Sequence, residues 1–385
     1  MGDGYNAAMS SETAAPVTTP TPSSSTKNPT PAEIAGALRS RVIGQEAAIR
    51  EMSIALAKHL AGLATGNILM IGSSGTGKTT LMRAVEGILA SRPELESRST
   101  VIRLHANVLA DEARRGRPGQ AVVDRLLDRV REALGADEAA ARKPAELLER
   151  AARALVFVDE VDKIRSHVGE RPNVEGIRAQ EALLTLIENE AVQVEMPSWA
   201  GGGTATFDSS GLLFVCAGAF EGLYDAVYDR VTIGRDRGAL QPVTVVEGGK
   251  VRREEVFRLR DWLHNEDLFD YGMTPQFLSR FDAVVLLEDL GVEELVRIFL
   301  ETPESGLHQT RAYFESQGIR LALSPAAVRR IAAQAARQPR LGARALKEVF
   351  RRVIRDHEFD PAAAGAVSAG ALLIDEKDVD EALEG

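Results

Sequence analysis

Three groups of residues in this chain have types and spacing suited to chemistry. The first is Gly72-Ser73-Ser74-Gly75-Thr76-Gly77-Lys78-Thr79, which fits G-x-x-x-x-G-K-[ST] at every fixed position. Glycines let the backbone curl so that successive N–H groups point inward, and the helix that follows offers its positive end to an anion. In that pattern Lys78 reaches the β- and γ-phosphates and the Thr79 hydroxyl holds Mg²⁺, with Thr80 continuing into the helix. The second group is Asp159-Glu160, closing the apolar run Ala154-Leu155-Val156-Phe157-Val158 some eighty residues later. Asp159 would complete the Mg²⁺ site opposite Thr79, and Glu160 would polarise an attacking water. The third is the basic, glycine-flanked stretch Arg114-Arg115-Gly116-Arg117-Pro118-Gly119. It reads either as an anion-seeking loop or as a solvated turn.

These groups need elements to hold them. Ile68-Leu69-Met70-Ile71 reads as a buried strand leading into the phosphate loop, and a helix runs from Thr80 to about Leu89. Thr100 to Leu104 is a β-branched strand, and Gln120 to Leu134 and Ala136 to Arg153 carry helical spacing. The run ending at Asp159 describes a buried parallel strand delivering its acids at the C-terminal end. Gly211 to Ala217 is another such strand, and Ile177 to Glu188 is a helix. Gly169–Gly176 and Pro197–Gly203 read as flexible loops. Alternating strands and helices predict an α/β sheet with nucleotide at the strand C-termini. Upstream, Arg41-Val42-Ile43-Gly44-Gln45 interrupts a helical pattern; Val42 and Ile43 either seat an adenine or fill the core.

Near Gly291 the apolar strands give way to helices at 292–300, 307–314, 326–336 and 343–357. Two short strands, 319–323 and 371–374, complete a smaller α+β domain. Residues 1–31 are rich in Ser, Thr, Pro and Ala, too apolar-poor to offset ordering entropy, and read as a disordered tail. The expected division is a tail over 1–31, a large α/β domain over 32–289 and a small domain over 290–385.

Composition narrows the field. With 385 residues, 44% hydrophobic and 26% charged, the chain has the make-up of a globular protein of two or three domains. Its net charge of -10 argues against a general nucleic-acid-binding surface. Cys216 is the only cysteine, which excludes an intrachain disulfide and a cysteine-based zinc site. The N-terminus lacks a secretory signal and no apolar run is long enough to span a bilayer, so the cytoplasm is the expected compartment.

Taken in order along the chain, the motifs resemble the AAA+ module of the ClpX/HslU group of protein unfoldases. Val42-Ile43-Gly44-Gln45 resembles the adenine-side box, Gly72 to Thr79 the Walker A loop and Val156 to Ile164 the Walker B strand. Glu175-Gly176 and Ala182 to Glu188 resemble the helix ahead of the second pore loop, and Phe214 to Phe220 the sensor-1 strand. Gly272 to Arg280 resembles the segment ending in the arginine finger, and Leu341 to Leu346 the start of the sensor-2 helix. The resemblance implies a P-loop NTPase fold, Mg²⁺-dependent ATP hydrolysis and a homo-hexameric ring with ATP between subunits. In it Arg280 acts in trans on a neighbour's γ-phosphate and Arg344 acts in cis from the small domain. A salt bridge for Arg280 and a surface position for Arg344 are the plainer alternatives.

The likeness also has gaps. The first pore loop of the unfoldases carries an aromatic–aliphatic pair between glycines, whereas the matching stretch here reads Gly116-Arg117-Pro118-Gly119. A ring of such loops would favour acidic peptide or phosphate over apolar segments. The zinc domain preceding the ClpX module has no counterpart. Where the loop that docks on ClpP presents Ile-Gly-Phe, this chain has Ile233-Gly234-Arg235, and burying Arg235 in an apolar socket would cost several kcal/mol. The leading expectation is an ATP-driven remodeller of a protein partner or assembly, working without ClpP. A nucleic-acid remodeller, a nucleotide-gated scaffold and a ClpXP-type degradation unfoldase are the alternatives.

Overall fold

The computed structural model describes residues 28–92, 95, 98, 100–117, 119–188, 191–233, 242–247, 250–255, 257–361, 367–368 and 370–384. Most of the expected tail, Pro118 and Gly234 to Arg237 fall outside them. Ordered helix begins one residue earlier than expected, at Pro31. Thr30 and Glu33 form a reciprocal capping box there, and Pro31 occupies the first turn where its missing N–H costs nothing.

Five parallel strands form the central sheet: β1 (Asn67–Ile71), β2 (Val101–His105), β3 (Leu155–Asp159), β4 (Leu213–Gly218) and β5 (Phe281–Leu286). They lie in the order β5-β1-β4-β3-β2. Their sequences are apolar throughout because both faces are covered. Ile68, Met70, Leu155, Phe157, Leu213 and Val215 point into one core layer, against the helices Pro31–Arg39, Glu46–Leu60 and Lys78–Ala90. Leu69, Ile71, Val156, Val158, Phe214 and Cys216 point into the other, against Gln120–Leu134 and Val174–Ile187 among other helices.

Register then does the positioning. Ile71 lies level with Gly218 on β4 and Leu286 on β5, and Asp159 lies level with His105 on β2. The strands therefore end along one edge, where the phosphate loop leaves β1 and the carboxylates leave β3. The strand order reverses around β1, the switch-point position at which open α/β sheets bind ligands.

Beyond β5 the chain passes through Leu287–Leu290 into a smaller, mainly helical C-terminal domain with its own core, built on Leu295, Phe299, Phe314, Ile331, Leu346 and Phe350. Its two expected strands pair in parallel, Arg320–Leu323 with Ala371–Ile374.

Three segments depart from expectation. Gly169–Gly176 is not an open loop: His167–Val168 and Arg171–Pro172 pair as a small hairpin, and the following helix starts at Val174, capped by the Asn173 side chain. Pro197–Gly203 is the tip of an antiparallel hairpin, Ala191–Glu195 with Thr204–Asp208, whose strands alternate between a buried face carrying Val192, Val194 and Phe207 and an exposed one. The helical stretch after Ala136 divides into Ala136–Ala141 and Pro144–Ala151, since Pro144 disfavours helix at Lys143 and restarts it beyond.

Candidate functional site

The phosphate loop occupies the gap between the ends of β4 and β5. Gly72 donates its N–H to Gly218 O at 3.2 Å, and a Cβ on Gly72 would lie 2.7 Å from Leu287 Cβ, so only glycine fits between these strands. Gly75 and Gly77 take positive φ, 77° and 106°, turning the chain into the helix Lys78–Ala90. No side chain caps that helix, which leaves its first N–H groups available to an anion. Thr76 is buried and its hydroxyl donates to Ser73 O at 2.9 Å, closing the loop on itself.

Lys78 folds its ammonium into this turn, donating to Gly72 O and, at 2.9 Å, to Ser73 O. Burial pushes its pKa down, an effect opposed by Asp159 and Asp162 and reinforced by Arg344. A cation held against its desolvation cost, with acids nearby, is what a phosphate-binding lysine requires.

At the end of β3, Asp159 accepts the Glu160 N–H at 2.9 Å. Glu160 adopts a left-handed conformation, φ 59°, unusual for a residue with a Cβ and characteristic of functional positions. Its carboxylate is half exposed, 3.7 Å from His105 Nδ1.

A cavity of about 540 Å³ gathers these groups, a size in the ordinary range for small-molecule sites. Ser74, Gly75, Thr76, Gly77, Lys78, Thr79, Thr80, Asp159 and Glu160 form its polar end, while Val42, Ile43, Leu290 and Phe299 form its apolar end. Val42 is 3% exposed, part of the core, and also lines the cavity. The lining suits a nucleoside triphosphate: backbone donors and a lysine for phosphates, an apolar wall for a base. Hard oxygen donors for Mg²⁺ are present in Thr79 and Asp159, and Mg²⁺ needs only one or two carboxylates when phosphates supply the rest. No denser cluster of potential metal ligands exists among the described residues.

Arg344 lines the same cavity from the C-terminal domain, as the cis position requires. Arg280 does not. It precedes Phe281, which lies level with Asn67 at the start of β1, so it sits at the opposite sheet edge from the phosphate loop. Strands of this length span about 17–20 Å. On its own chain Arg280 faces Glu188 at 2.6 Å. The arginine loop is also changed by the structure. Arg117 meets Glu195 at 2.8 Å, and Arg114 is paired with Glu175 and Asp111, so two of the three cations already face carboxylates of their own chain. Arg115 alone of the three has no partner among the described residues.

Two site residues escaped the sequence reading. Asp162 is 1% exposed and accepts from Ala219 N at 3.2 Å, bracing the end of β4. Its other carboxylate oxygen has no hydrogen-bond partner and lies 3.7 Å from Lys163 Nζ. Its position two residues after Glu160 was the available signal. Gln45 is buried, left-handed (φ 62°) and bonded to the phosphate loop; it closes the stretch that resembles the adenine-side box, where it was assigned no role of its own.

Residues 63–284 match the AAA domain (Cdc48 subfamily), and residues 290–372 match the C-terminal, D2-small domain of ClpB protein. Among curated proteins, the chain is 31% identical to the ATP-dependent Clp protease ATP-binding subunit ClpX 3 of Methylococcus capsulatus, covering 86% of this chain and 76% of that one. It is 29% identical to ClpX of Azotobacter vinelandii over 86% of this chain and 74% of that one. With ClpX 2 of Wolinella succinogenes it shares 28% identity over 86% of this chain and 78% of that one.

Proposed function

This chain belongs to the AAA ATPase family and resembles its ClpX members, and from that premise we propose that it is an ATP-driven remodeller of a protein partner, acting as a ring with ATP bound between subunits. The observation that carries the reading is the placement of two arginines. Arg344 lines the nucleotide cavity from its own chain, whereas Arg280 lies about a strand length away, which supports a role on the nucleotide of a neighbouring copy.

In this reading Lys78 and the N-terminus of its helix bind the phosphates, and Thr79 and Asp159 hold Mg²⁺, which neutralises charge on them. Glu160 takes the proton from the attacking water, and Arg280 of the adjoining copy stabilises charge developing on the γ-phosphate. The cavity is shared between the two domains, so hydrolysis would alter the angle between them, the movement that drives a ring.

What the ring acts on is argued from Arg114, Arg115 and Arg117. They favour an acidic polypeptide segment, which must compete with Glu175 and Glu195. The charged Arg235 and Arg237, where ClpX would present an apolar anchor, favour action without ClpP. A second reading, an ATP-binding subunit of a Clp protease, is favoured by the names of the relatives.

Glu160→Gln is the test. It should retain ATP binding, lower phosphate release by about 10²–10⁴-fold, and hold its partner for identification by mass spectrometry. Hydrolysis within a few-fold of wild type would remove the proposed mechanism. A stable nucleotide-dependent complex with ClpP would select the second reading.

A further inference from the structure

A phosphate loop has two sides. Gly72 O and Ser73 O accept from Lys78 inside the turn, whereas Gly75 O and Thr76 O face neighbouring elements, and buried carbonyls need donors. The latter two are bonded to different elements. Thr76 O accepts from the Gln45 side chain (Nε2) at 2.9 Å, and Gly75 O accepts from Ala343 N, in the C-terminal domain, at 3.1 Å.

Gln45 does more than fill a hydrogen bond. The same Nε2 donates to Glu288 O at 2.8 Å, and Oε1 accepts from Glu288 N at 2.9 Å. Glu288 lies in the connector between β5 and the first helix of the C-terminal domain, Val292–Glu301. One amide, 31 residues from Thr76 and 243 from Glu288, thus ties the loop to the connector. It does so from a left-handed backbone, costly for a residue with a Cβ, and without capping the helix Glu46–Leu60 that it precedes. The preceding Gly44 packs where the connector enters the helix Val292–Glu301: a Cβ added there would lie 3.5 Å from Glu294 Cγ and 3.8 Å from Leu290 Cδ2.

Peptide planarity supplies the coupling. Thr76 O shares a rigid plane with the N–H of Gly77, and Gly75 O shares one with the N–H of Thr76. A rotation that aims either N–H at a phosphate must swing the carbonyl on the other side of that plane. We infer that Gln45 is a positioning residue that carries nucleotide occupancy from the Thr76 carbonyl to the interdomain connector at Glu288, alongside the direct Gly75–Ala343 bond. This rests on the ATPase activity alone and not on the ring, the partner or the role of Arg280.

Two substitutions separate the side-chain bonds from their surroundings. Gln45→Gly relieves the positive φ and removes the bonds; Gln45→Met keeps the volume and the φ and also removes them. The full chain would be assayed for binding of a fluorescent ADP analogue, for kcat and KM of ATP hydrolysis, and for hydrogen exchange over residues 286–290 with and without ADP. In wild type, ADP should alter exchange at Glu288. Both variants should bind ADP within about threefold of wild type, lose the ADP-dependent change in exchange, and lower kcat about tenfold with little change in KM. The inference is overturned if either folded variant keeps both kcat within twofold and the ADP-dependent exchange response. It is equally overturned if binding and kcat fall in parallel with melting temperature, the pattern of a residue that only holds the fold together.

Discussion

Gly75 and Gly116 carry nearly the same backbone angle, φ 77° and 67°, in the two loops on which function turns, yet their surroundings are opposite. A Cβ on Gly75 would sit 2.2 Å from Leu341 O and close to the Ala343 and Arg344 N atoms; a Cβ on Gly116 would meet nothing within 4 Å. The phosphate loop is enclosed around Gly75, with the Gly75 and Thr76 carbonyls bonded and Gly75 itself pressed by the C-terminal domain. The arginine loop is open, held by ion pairs between side chains that are about half exposed. Backbone demands leave few sequences that can build the first, and many could build the second.

The sharpest way to extend this comparison is Arg280, since it asks whether the enclosed site is complete within one chain. If Arg280 serves a neighbour, Arg280→Ala should lower ATP turnover by about 10³-fold or more, the usual worth of such a cation. Mixing it with Glu160→Gln should restore part of the activity, because the second variant supplies Arg280 to sites whose Glu160 is intact. A loss of only a few-fold, with no recovery on mixing, would reduce Arg280 to the partner of Glu188.

The glycines test the comparison directly. Gly75→Ala must displace backbone of the C-terminal domain, so binding of an ATP analogue should weaken at least tenfold, as read by fluorescence titration. Gly116→Ala adds only the left-handed penalty, about 1–2 kcal/mol, and should leave basal turnover within twofold. Equal effects at the two positions would mean that packing against Leu341–Arg344 is unimportant to the nucleotide site.

The same contrast explains what could be read from the sequence. Gly72, Gly77, Lys78 and Thr79 were legible because phosphate binding prescribes residue types at fixed spacing, and Asp159-Glu160 because a two-sided buried strand announces its own end. The parallel sheet followed from strands apolar throughout. Gln45 was not legible, since its partners at Thr76 and Glu288 are distant in sequence and its task depends on their meeting. The pairing of Arg117 with Glu195 was hidden for a similar reason: the two residues are 78 positions apart and meet only when the hairpin folds beside the loop. Arg280 shows both sides, for its position came through family resemblance while its ion pair with Glu188 emerged only from the fold.

The smallest effect concerns the open loop and bears most on the partner. Glu195 does not act through Arg117 alone: its backbone N–H donates to Gln120 Oε1 at 2.8 Å and its carbonyl accepts from Gln120 Nε2 at 2.9 Å. Those bonds fix the hairpin beside the loop and survive substitution of the side chain. Glu195→Gln therefore removes the charge facing Arg117 while keeping the carboxylate's place filled. An ion pair this exposed contributes about 0.2–1 kcal/mol, so the melting temperature should fall by no more than a few degrees. Freed of its internal competitor, Arg117 should bind an acidic peptide a few-fold more tightly at low salt, and Arg117→Ala should cancel the gain. A screened, salt-dependent increase would identify Glu195 as a stand-in for the partner's own carboxylate. If neither substitution changes peptide binding, the arginine loop is a solvated turn, and the grip of the ring must lie elsewhere.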